Sequence, residues 1–177
     1  SSDLKDVNVL PRNWAAIDID GGKQQKQDAA GKVYTPKGTD SLGISPQVLE
    51  ALKEVLKPFS CFIYPTHSDT PTARKYRVVM ALDKELGPKD WEVCARNVCL
   101  WLMEKVPELA EQPDKLITAA IDSASYTPAQ IMYTVPKEKA ASLELFSGTP
   151  ISTAQFTKGS KTEKKALAKI DSTAPAP

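Results

Sequence analysis

The order of strand-like and helix-like segments is the feature that most constrains the fold of this chain. Four β-prone runs are bounded by turn residues, and they cover residues 14–20, 60–64, 75–82 and 130–135. One helical apolar pattern begins at Ser45-Pro46, where serine suits the N-cap and proline the first helical position, and a second begins at Gly87-Pro88. The order strand, helix, strand, strand, helix, strand predicts an α+β protein. Its expected fold is the ferredoxin-like, or RRM-like, split βαβ fold, in which an antiparallel sheet carries both helices on one face.

Two further segments do not contribute a regular element to this order. Residues 23–42 are rich in Gly, Lys, Gln and Asp without periodicity, which predicts a long surface loop. Residues 116–121 are apolar and fit either a helix or a strand. RNA-recognition modules and the palm domains of many polymerases share the split βαβ fold, so topology alone does not distinguish a binding module from an enzyme.

Length and composition predict one domain followed by a tail. A chain of 177 residues with 41% apolar residues can form one well-cored domain, which we expect at residues 1–157. Residues 158–177 are rich in Lys, Ser, Ala and Pro, a composition typical of a flexible tail or interdomain linker. The formal net charge is only +1, so binding to a polyanion would depend on a local basic patch.

The apolar segments and the cysteines indicate a protein of a reducing compartment. No apolar run in the sequence approaches the length of a membrane span. Cys61, Cys94 and Cys99 lie in otherwise apolar segments, and with a single histidine they do not give a zinc-ligand spacing. We therefore expect buried free thiols, a cytoplasmic location and no membrane partner.

Asp18 and Asp20 form the first candidate site. They lie at the end of the first predicted strand, immediately before Gly21-Gly22. Because side chains of an extended strand alternate, both carboxylates point the same way. Neighbouring carboxylates repel each other unless a cation lies between them, and Mg²⁺ or Mn²⁺ prefers such oxygen ligands. The alternative is a pair of solvated acids before a turn. Asp122 is a possible third ligand or a simple turn residue.

The second candidate site is a polar, turn-rich segment before the third predicted strand. His67 is the only histidine of the chain and is followed by Ser68, and the cations Arg74, Lys75 and Arg77 come within a few residues. Hydroxyl groups and cations at this density can bind a triphosphate or a nucleic-acid backbone. The alternative is a solvated hairpin tip with an exposed histidine.

Together these segments resemble the archaeo-eukaryotic primase superfamily, most closely the primase-polymerase domains of phage and plasmid replication proteins. The resemblance covers residues 14–136 and rests on Asp18-Ile19-Asp20, the block 64–71, the strand 74–82, and Asp122 with residues 129–133. The superfamily pattern is a first motif with two acids, a second motif with a histidine and a third, acidic motif. Its second motif usually has a serine two residues before the histidine, and this chain has Pro65 there.

The resemblance implies a template-directed nucleotidyltransferase, a DNA primase or primase-polymerase, that acts in DNA replication of a phage, plasmid or other mobile element. It implies that Asp18, Asp20 and Asp122 are catalytic and hold two Mg²⁺ or Mn²⁺ ions for phosphoryl transfer. The residues that would bind the nucleotide are His67, Ser68, Arg74, Lys75 and Arg77. The implied partners are a single-stranded DNA template, an NTP or dNTP, and a helicase domain in the same full-length protein. The implied location is the cytoplasm of a bacterial or archaeal cell.

Two other functions stay open from the sequence. Haloacid-dehalogenase-like phosphatases also have Asp-x-Asp-Gly after an apolar strand, but Thr or Val follows that glycine where this chain has Gly22. The chain also has no later pair of adjacent aspartates. A non-catalytic RRM-like nucleic-acid-binding domain would have aromatic residues on the free face of its central strands. In this sequence, the residues predicted to lie on that face are acids and Arg77.

Overall fold

A four-stranded antiparallel sheet forms the centre of the protein, with the strand order β1-β5-β4-β6. The structure, a computed structural model, describes residues 10–127 and 135–158. In chain order its strands and α-helices are β1 Arg12–Ile19, β2 Lys26–Gln27, β3 Val33–Tyr34, α1 Pro46–Leu56, β4 Ser60–Pro65, β5 Tyr76–Leu86, α2 Pro88–Lys105, β6 Glu144–Ser147 and α3 Thr153–Thr157. The predicted α+β class, with a mainly antiparallel sheet and a few helices, is confirmed.

Both long helices begin where the sequence predicts. The Ser45 hydroxyl accepts a hydrogen bond from the Val48 amide at 3.2 Å, and Pro46 is the first residue of α1. Pro88 takes the corresponding position in α2, which has Gly87 as its N-cap. Leu52 of α1 is fully buried, as are several α2 residues on one stripe. These stripes pack in one apolar core with one face of the sheet.

The two faces of the sheet have different compositions. Alternate residues of β1, β4 and β5 join the core, among them Ile17, Ile63 and Val78. The intervening residues lie on the second face. On that face Arg77 of β5 is directly opposite Asp18 of β1 on one side and Tyr64 of β4 on the other. A polar row therefore crosses three strands of the sheet near the end of β1.

Other segments differ from the sequence-based expectation. Residues 23–42 contain the short antiparallel hairpin β2–β3, because Asp28 accepts hydrogen bonds from the Ala30 and Lys32 amides and organises the turn. Residues 116–121 form neither a helix nor a regular strand and make only isolated bridges. The edge strand β6 was not expected. The predicted strand at 130–135 lies, except for its last residue, outside the described residues.

The cysteines are buried free thiols, as the sequence predicts. Burial raises the pKa of Cys61 and of Cys94 to about 11 and that of Cys99 to about 12, so all three are protonated at neutral pH. Across the described residues, no helix has both the length and the apolar character needed to cross a membrane.

The short helix α3 is anchored to α2 and β5. Asn97 donates its side-chain N–H to the Phe156 carbonyl at 2.6 Å, and the Phe156 ring contacts the Trp101 ring edge-on with centroids 5.9 Å apart. Thr153 donates its hydroxyl hydrogen to the Asp83 carboxylate at 2.6 Å. The described C-terminal helix is therefore part of the folded domain.

This anchoring predicts where the chain can be shortened. Removal of residues 159–177 should leave the melting temperature unchanged, because their Lys-, Ala- and Pro-rich composition offers few groups for a core. Phe156→Ala should instead lower the free energy of unfolding by about 3 kcal/mol, because it leaves a cavity where the buried phenyl ring was. Thermal and urea unfolding of both variants measure this. A large loss of melting temperature in the shortened chain would show that its apolar residues, such as Leu167 and Ile170, dock on the domain.

Candidate functional site

A cleft of about 830 Å³ lies at the end of the sheet where β1 ends. Several separate parts of the chain contribute polar groups to it, and four of them carry the residues singled out from the sequence or lie beside them. They are the acids Asp18 and Asp20, the loop with Lys37 and Ser41, the segment with Thr66, Ser68, Lys75 and Arg77, and Asp122 with its neighbours. All three acids predicted from the sequence line this cleft.

The turn after β1 depends on two glycines. Gly21 and Gly22 have positive φ angles of 87° and 74°. A Cβ atom at Gly21 would lie 2.0 Å from the Gly43 carbonyl oxygen, and one at Gly22 would lie 2.2 Å from the Thr118 carbonyl oxygen. No larger residue fits at either position without moving a neighbouring backbone segment. The glycine pair thus allows three loops to meet at the mouth of the cleft.

Asp18 is held by Arg77 in a bidentate ion pair. Arg77 donates Nε–H to Asp18 Oδ1 at 2.5 Å and Nη2–H to Oδ2 at 3.1 Å. The Asp18 side chain is only 18% exposed and the Arg77 side chain only 11%. Burial lowers the pKa of Arg77, but the hydrogen bond and the charge of Asp18 outweigh it, so the net shift is upward. The predicted metal ligand and the predicted phosphate contact therefore bind each other in this structure.

Asp20 has a different environment. Its Oδ1 accepts a hydrogen bond from the Gly22 amide at 2.9 Å, and its Oδ2 accepts one from the Ser41 hydroxyl at 2.8 Å. Burial raises the pKa of Asp20; these hydrogen bonds oppose the shift, and the charge of Asp122 adds to it. Within the described parts of the chain Asp20 makes no ion pair, although the nearby charge of Lys23 acts to lower its pKa. A divalent cation beside Asp20 would offset both the desolvation of its carboxylate and its repulsion by Asp122.

Asp122 is fixed beside β1 by backbone contacts. Its amide donates to the Asp18 carbonyl at 2.9 Å, and its carboxylate accepts a hydrogen bond from the Ala124 amide at 3.0 Å. Ser125 completes the connection, because its hydroxyl oxygen accepts a hydrogen bond from the Asp18 amide at 2.8 Å. The turn-residue and third-acid interpretations of Asp122 are thus compatible, since one carboxylate oxygen caps the turn and the side chain stays exposed at the cleft.

These acids fit a divalent cation only in part. Among the residues that the structure describes, no group of three or more His, Cys, Asp or Glu side chains has an arrangement that could hold a metal ion. Asp20 and Asp122 have the hard oxygen donors that Mg²⁺ or Mn²⁺ requires. Asp18 could join them only after Arg77 releases at least one of its oxygens.

The second predicted motif reaches the cleft with some of its residues. Ser68 and Lys75 line the cleft, but His67 is exposed in the turn and is not among the lining residues. Arg74 also lies outside the lining, because its Nε–H donates to the Asp69 carboxylate at 2.8 Å and its guanidinium stacks on the Tyr76 ring.

Several residues that shape the site were not identified from the sequence. Asp69 also accepts the Lys75 amide at 2.8 Å, and Lys139 donates to the Asp69 carbonyl at 2.8 Å, so the turn is fixed from two sides. Arg96 of α2 adds a further cation to the lining of the cleft. The position of Asp69 in a turn-rich segment was a usable signal. Lys139 and Arg96 are distant in sequence and gave none.

Comparison of the chain with models of known protein families, with curated proteins and with solved structures found no significant match. A functional assignment therefore depends on the chemistry of the cleft and on the resemblance of its motifs to the primase pattern.

Proposed function

We propose that this chain is the nucleotidyltransferase domain of a DNA primase or primase-polymerase that acts in replication of a phage, plasmid or other mobile element. The observation that carries the proposal is the meeting of Asp18, Asp20 and Asp122 with Lys75 and Arg77 in one cleft. Templated phosphoryl transfer requires this combination of carboxylates for metal ions and cations for a triphosphate. A bacterial or archaeal cytoplasm and a helicase domain in the same full-length protein belong to the same proposal.

The ferredoxin-like, palm-type fold is also part of the proposal. The first three main strands along the chain, β1, β4 and β5, lie in the order β1-β5-β4. The helix α1 connects β1 to β4, β5 pairs with β4 in a hairpin, and α2 follows β5. This order supports a split βαβ arrangement. The cleft lies at the end of its central strands, where polar side chains from several elements can meet.

In the proposed reaction, the primer 3′ hydroxyl loses its proton to solvent and its oxygen forms a bond to the α-phosphorus of a nucleotide. The bond from that phosphorus to the bridging oxygen breaks, and pyrophosphate leaves. Bound Mg²⁺ or Mn²⁺ would activate that hydroxyl and neutralise the leaving group. Asp20 and Asp122 are the residues best suited to hold the ions, because they are close enough for the charge of one to shift the pKa of the other. Asp18 is the third proposed metal ligand.

Arg77 connects the two halves of the proposed site. It neutralises Asp18 in the structure described, and it lines the cleft that would receive the triphosphate. A guanidinium can bind either a carboxylate or a phosphate group, in both cases often through two parallel hydrogen bonds. If Asp18 were to hold a metal ion, Arg77 would be released from it and could contact the triphosphate instead. Lys75 and Ser68 would contact the same phosphates.

A non-catalytic RRM-like domain is supported less well. The second face of the sheet does carry aromatic residues as well as acids, since Phe62 and Tyr64 stack there with ring centroids 6.0 Å apart. However, Tyr64 is only 4% exposed, so it offers little surface for a base to stack on. A phosphatase would need Asp18 as the nucleophile, and it too would require Arg77 to release this side chain, but the sequence has no later pair of adjacent aspartates.

An incorporation assay tests the proposed function. The chain should extend a primed DNA strand, or start a primer on an unprimed one, with labelled NTPs or dNTPs in Mg²⁺ or Mn²⁺. Absence of product with every combination of nucleotide, metal and template would reject the proposal. Release of inorganic phosphate from simple phosphomonoesters, without incorporation, would favour the phosphatase instead.

The second motif gives a more specific prediction. Lys75→Ala should raise the apparent KM for the nucleotide about tenfold, because a charge-assisted contact to phosphate contributes roughly 1.5 to 3 kcal/mol. His67→Ala should raise it by less than Lys75→Ala does, because His67 is exposed and lies outside the lining of the cleft. Lys84→Ala is the matched control, since Lys84 is exposed on β5 and does not line the cleft. Steady-state incorporation kinetics measure the effect, and an unchanged KM in both variants would remove the second motif from the site.

A further inference from the structure

The hairpin β2–β3 is a basic projection next to the cleft. The segment 23–40 contains four lysines and two aspartates, although the whole chain has a net charge of only +1. Lys23, Lys26, Lys32 and Lys37 are all exposed. No ion pair engages any of the four within residues 10–127 and 135–158. With four lysines against two aspartates, the segment has a formal net charge of +2, and Lys23 also acts on the charge of Asp20.

One face of the hairpin combines a cation with an aromatic ring. Lys26 and Tyr34 are direct cross-strand partners, so their side chains lie on the same face. Tyr34 is 36% exposed and the neighbouring Val33 is 39% exposed. A phenol ring beside an ammonium group matches a strand of nucleic acid, in which a base can stack on the ring while the adjacent phosphate meets the cation.

The base of the hairpin is fixed to the folded domain. The Gln24 side chain donates to the carbonyls of Lys115 and Leu116 at 2.9 and 3.1 Å, and the Gln25 amide donates to Leu116 at 2.7 Å. Just beyond β3, residues 35–39 form part of the cleft wall. The hairpin is therefore continuous along the chain with one wall of the cleft that holds the acids.

We propose that the Lys26–Tyr34 face of this hairpin binds single-stranded DNA outside the cleft. Tyr34 stacks on one base, and Lys26 contacts a neighbouring phosphate. Lys37, which lines the cleft, contacts the backbone where the strand enters. The inference rests on the proposed function in one respect, because the bound strand would be the template. It extends that function by assigning a template-binding surface next to the cleft and separate from the residues proposed to bind the phosphates.

Fluorescence anisotropy with a labelled oligothymidylate tests this surface directly, without nucleotide or catalysis. Tyr34→Ala and Lys26→Ala should each weaken binding about tenfold. Tyr34→Phe should bind the oligonucleotide with the affinity of the wild-type protein, because phenylalanine keeps the stacking ring. Lys26→Ala should also make the salt dependence of binding shallower, by about one phosphate contact. Lys84→Ala is the control for loss of a lysine elsewhere and should have no effect.

Equal binding of oligothymidylate by Tyr34→Ala, Lys26→Ala and the unchanged chain would overturn the proposal. So would a Tyr34→Ala effect of the same size on a blunt duplex, since stacking requires unpaired bases. The incorporation assay separates this result from the proposed function. Hairpin-dependent binding without any incorporation would retain the surface and reject the polymerase, and incorporation with unaltered binding by both variants would do the reverse.

Discussion

Asp20→Asn is expected to reduce nucleotide incorporation by more than about a hundredfold while the domain stays folded. Replacement of residues that only orient metal ligands typically lowers metal affinity or activity 10- to 100-fold. Loss of a ligand itself should therefore lower activity more. Stability should be retained, because asparagine keeps the shape of the side chain and can still accept the Gly22 amide that Asp20 accepts. Burial and the nearby charge of Asp122 raise the pKa of Asp20, so a neutral side chain also removes an unfavourable charge from the metal-free protein.

Primer extension by the purified variant measures the loss, and metal-dependent unfolding provides a second measurement. Saturating Mg²⁺ or Mn²⁺ should raise the melting temperature of the unchanged chain, as ligands of the native state do, and should have much less effect on Asp20→Asn. Asp40→Asn is the matched control, since Asp40 is exposed in the neighbouring loop and does not line the cleft. Incorporation by Asp20→Asn at the unchanged rate would reject the metal site.

Asp18→Ala and Arg77→Ala are each expected to lower the free energy of unfolding by roughly 3 kcal/mol, because each leaves a largely buried charge without its partner. Two neighbouring acids repel each other, so an expectation drawn from that repulsion alone is that loss of Asp18 costs little stability. The observed ion pair changes that expectation for Asp18 and leaves it in place for Asp20. Urea unfolding of the single variants measures the cost.

A double-mutant cycle isolates the ion pair from other effects of the substitutions. The variant with both changes should be less destabilised than the sum of the single variants, because neither charge is then left alone. Glu92→Ala is a suitable comparison, since it breaks the Arg96–Glu92 pair, which is more exposed at 19% and 34% and should cost less. Single-variant losses below about 1 kcal/mol would contradict a structural role for the pair. Arg77→Ala should in addition raise the apparent KM for the nucleotide.

The long helices and the β4–β5 hairpin were predictable because their signals are local. Ser45 and Pro46 fix the start of α1 within a few residues, and the apolar stripe of α2 needs no distant partner to be recognised. By contrast, β6 pairs with β4 across more than 80 residues of sequence, and its short run Glu144–Ser147 has no strong pattern. Residues 116–121 were ambiguous because their contacts with Gln24 and Ile19 are equally distant.

The sequence by itself determined which chemistry is available at the end of β1: two acids at strand spacing, followed by glycines that allow the loops to approach. Only the tertiary structure decided which partners those acids have. Asp18 and Arg77 are 59 residues apart, and they meet because the register of β1 and β5 aligns them on one face. A shift of one residue would turn Arg77 to the other face of the sheet. Register depends on packing along the whole strand, so no local pattern contained the ion pair that now distinguishes Asp18 from Asp20.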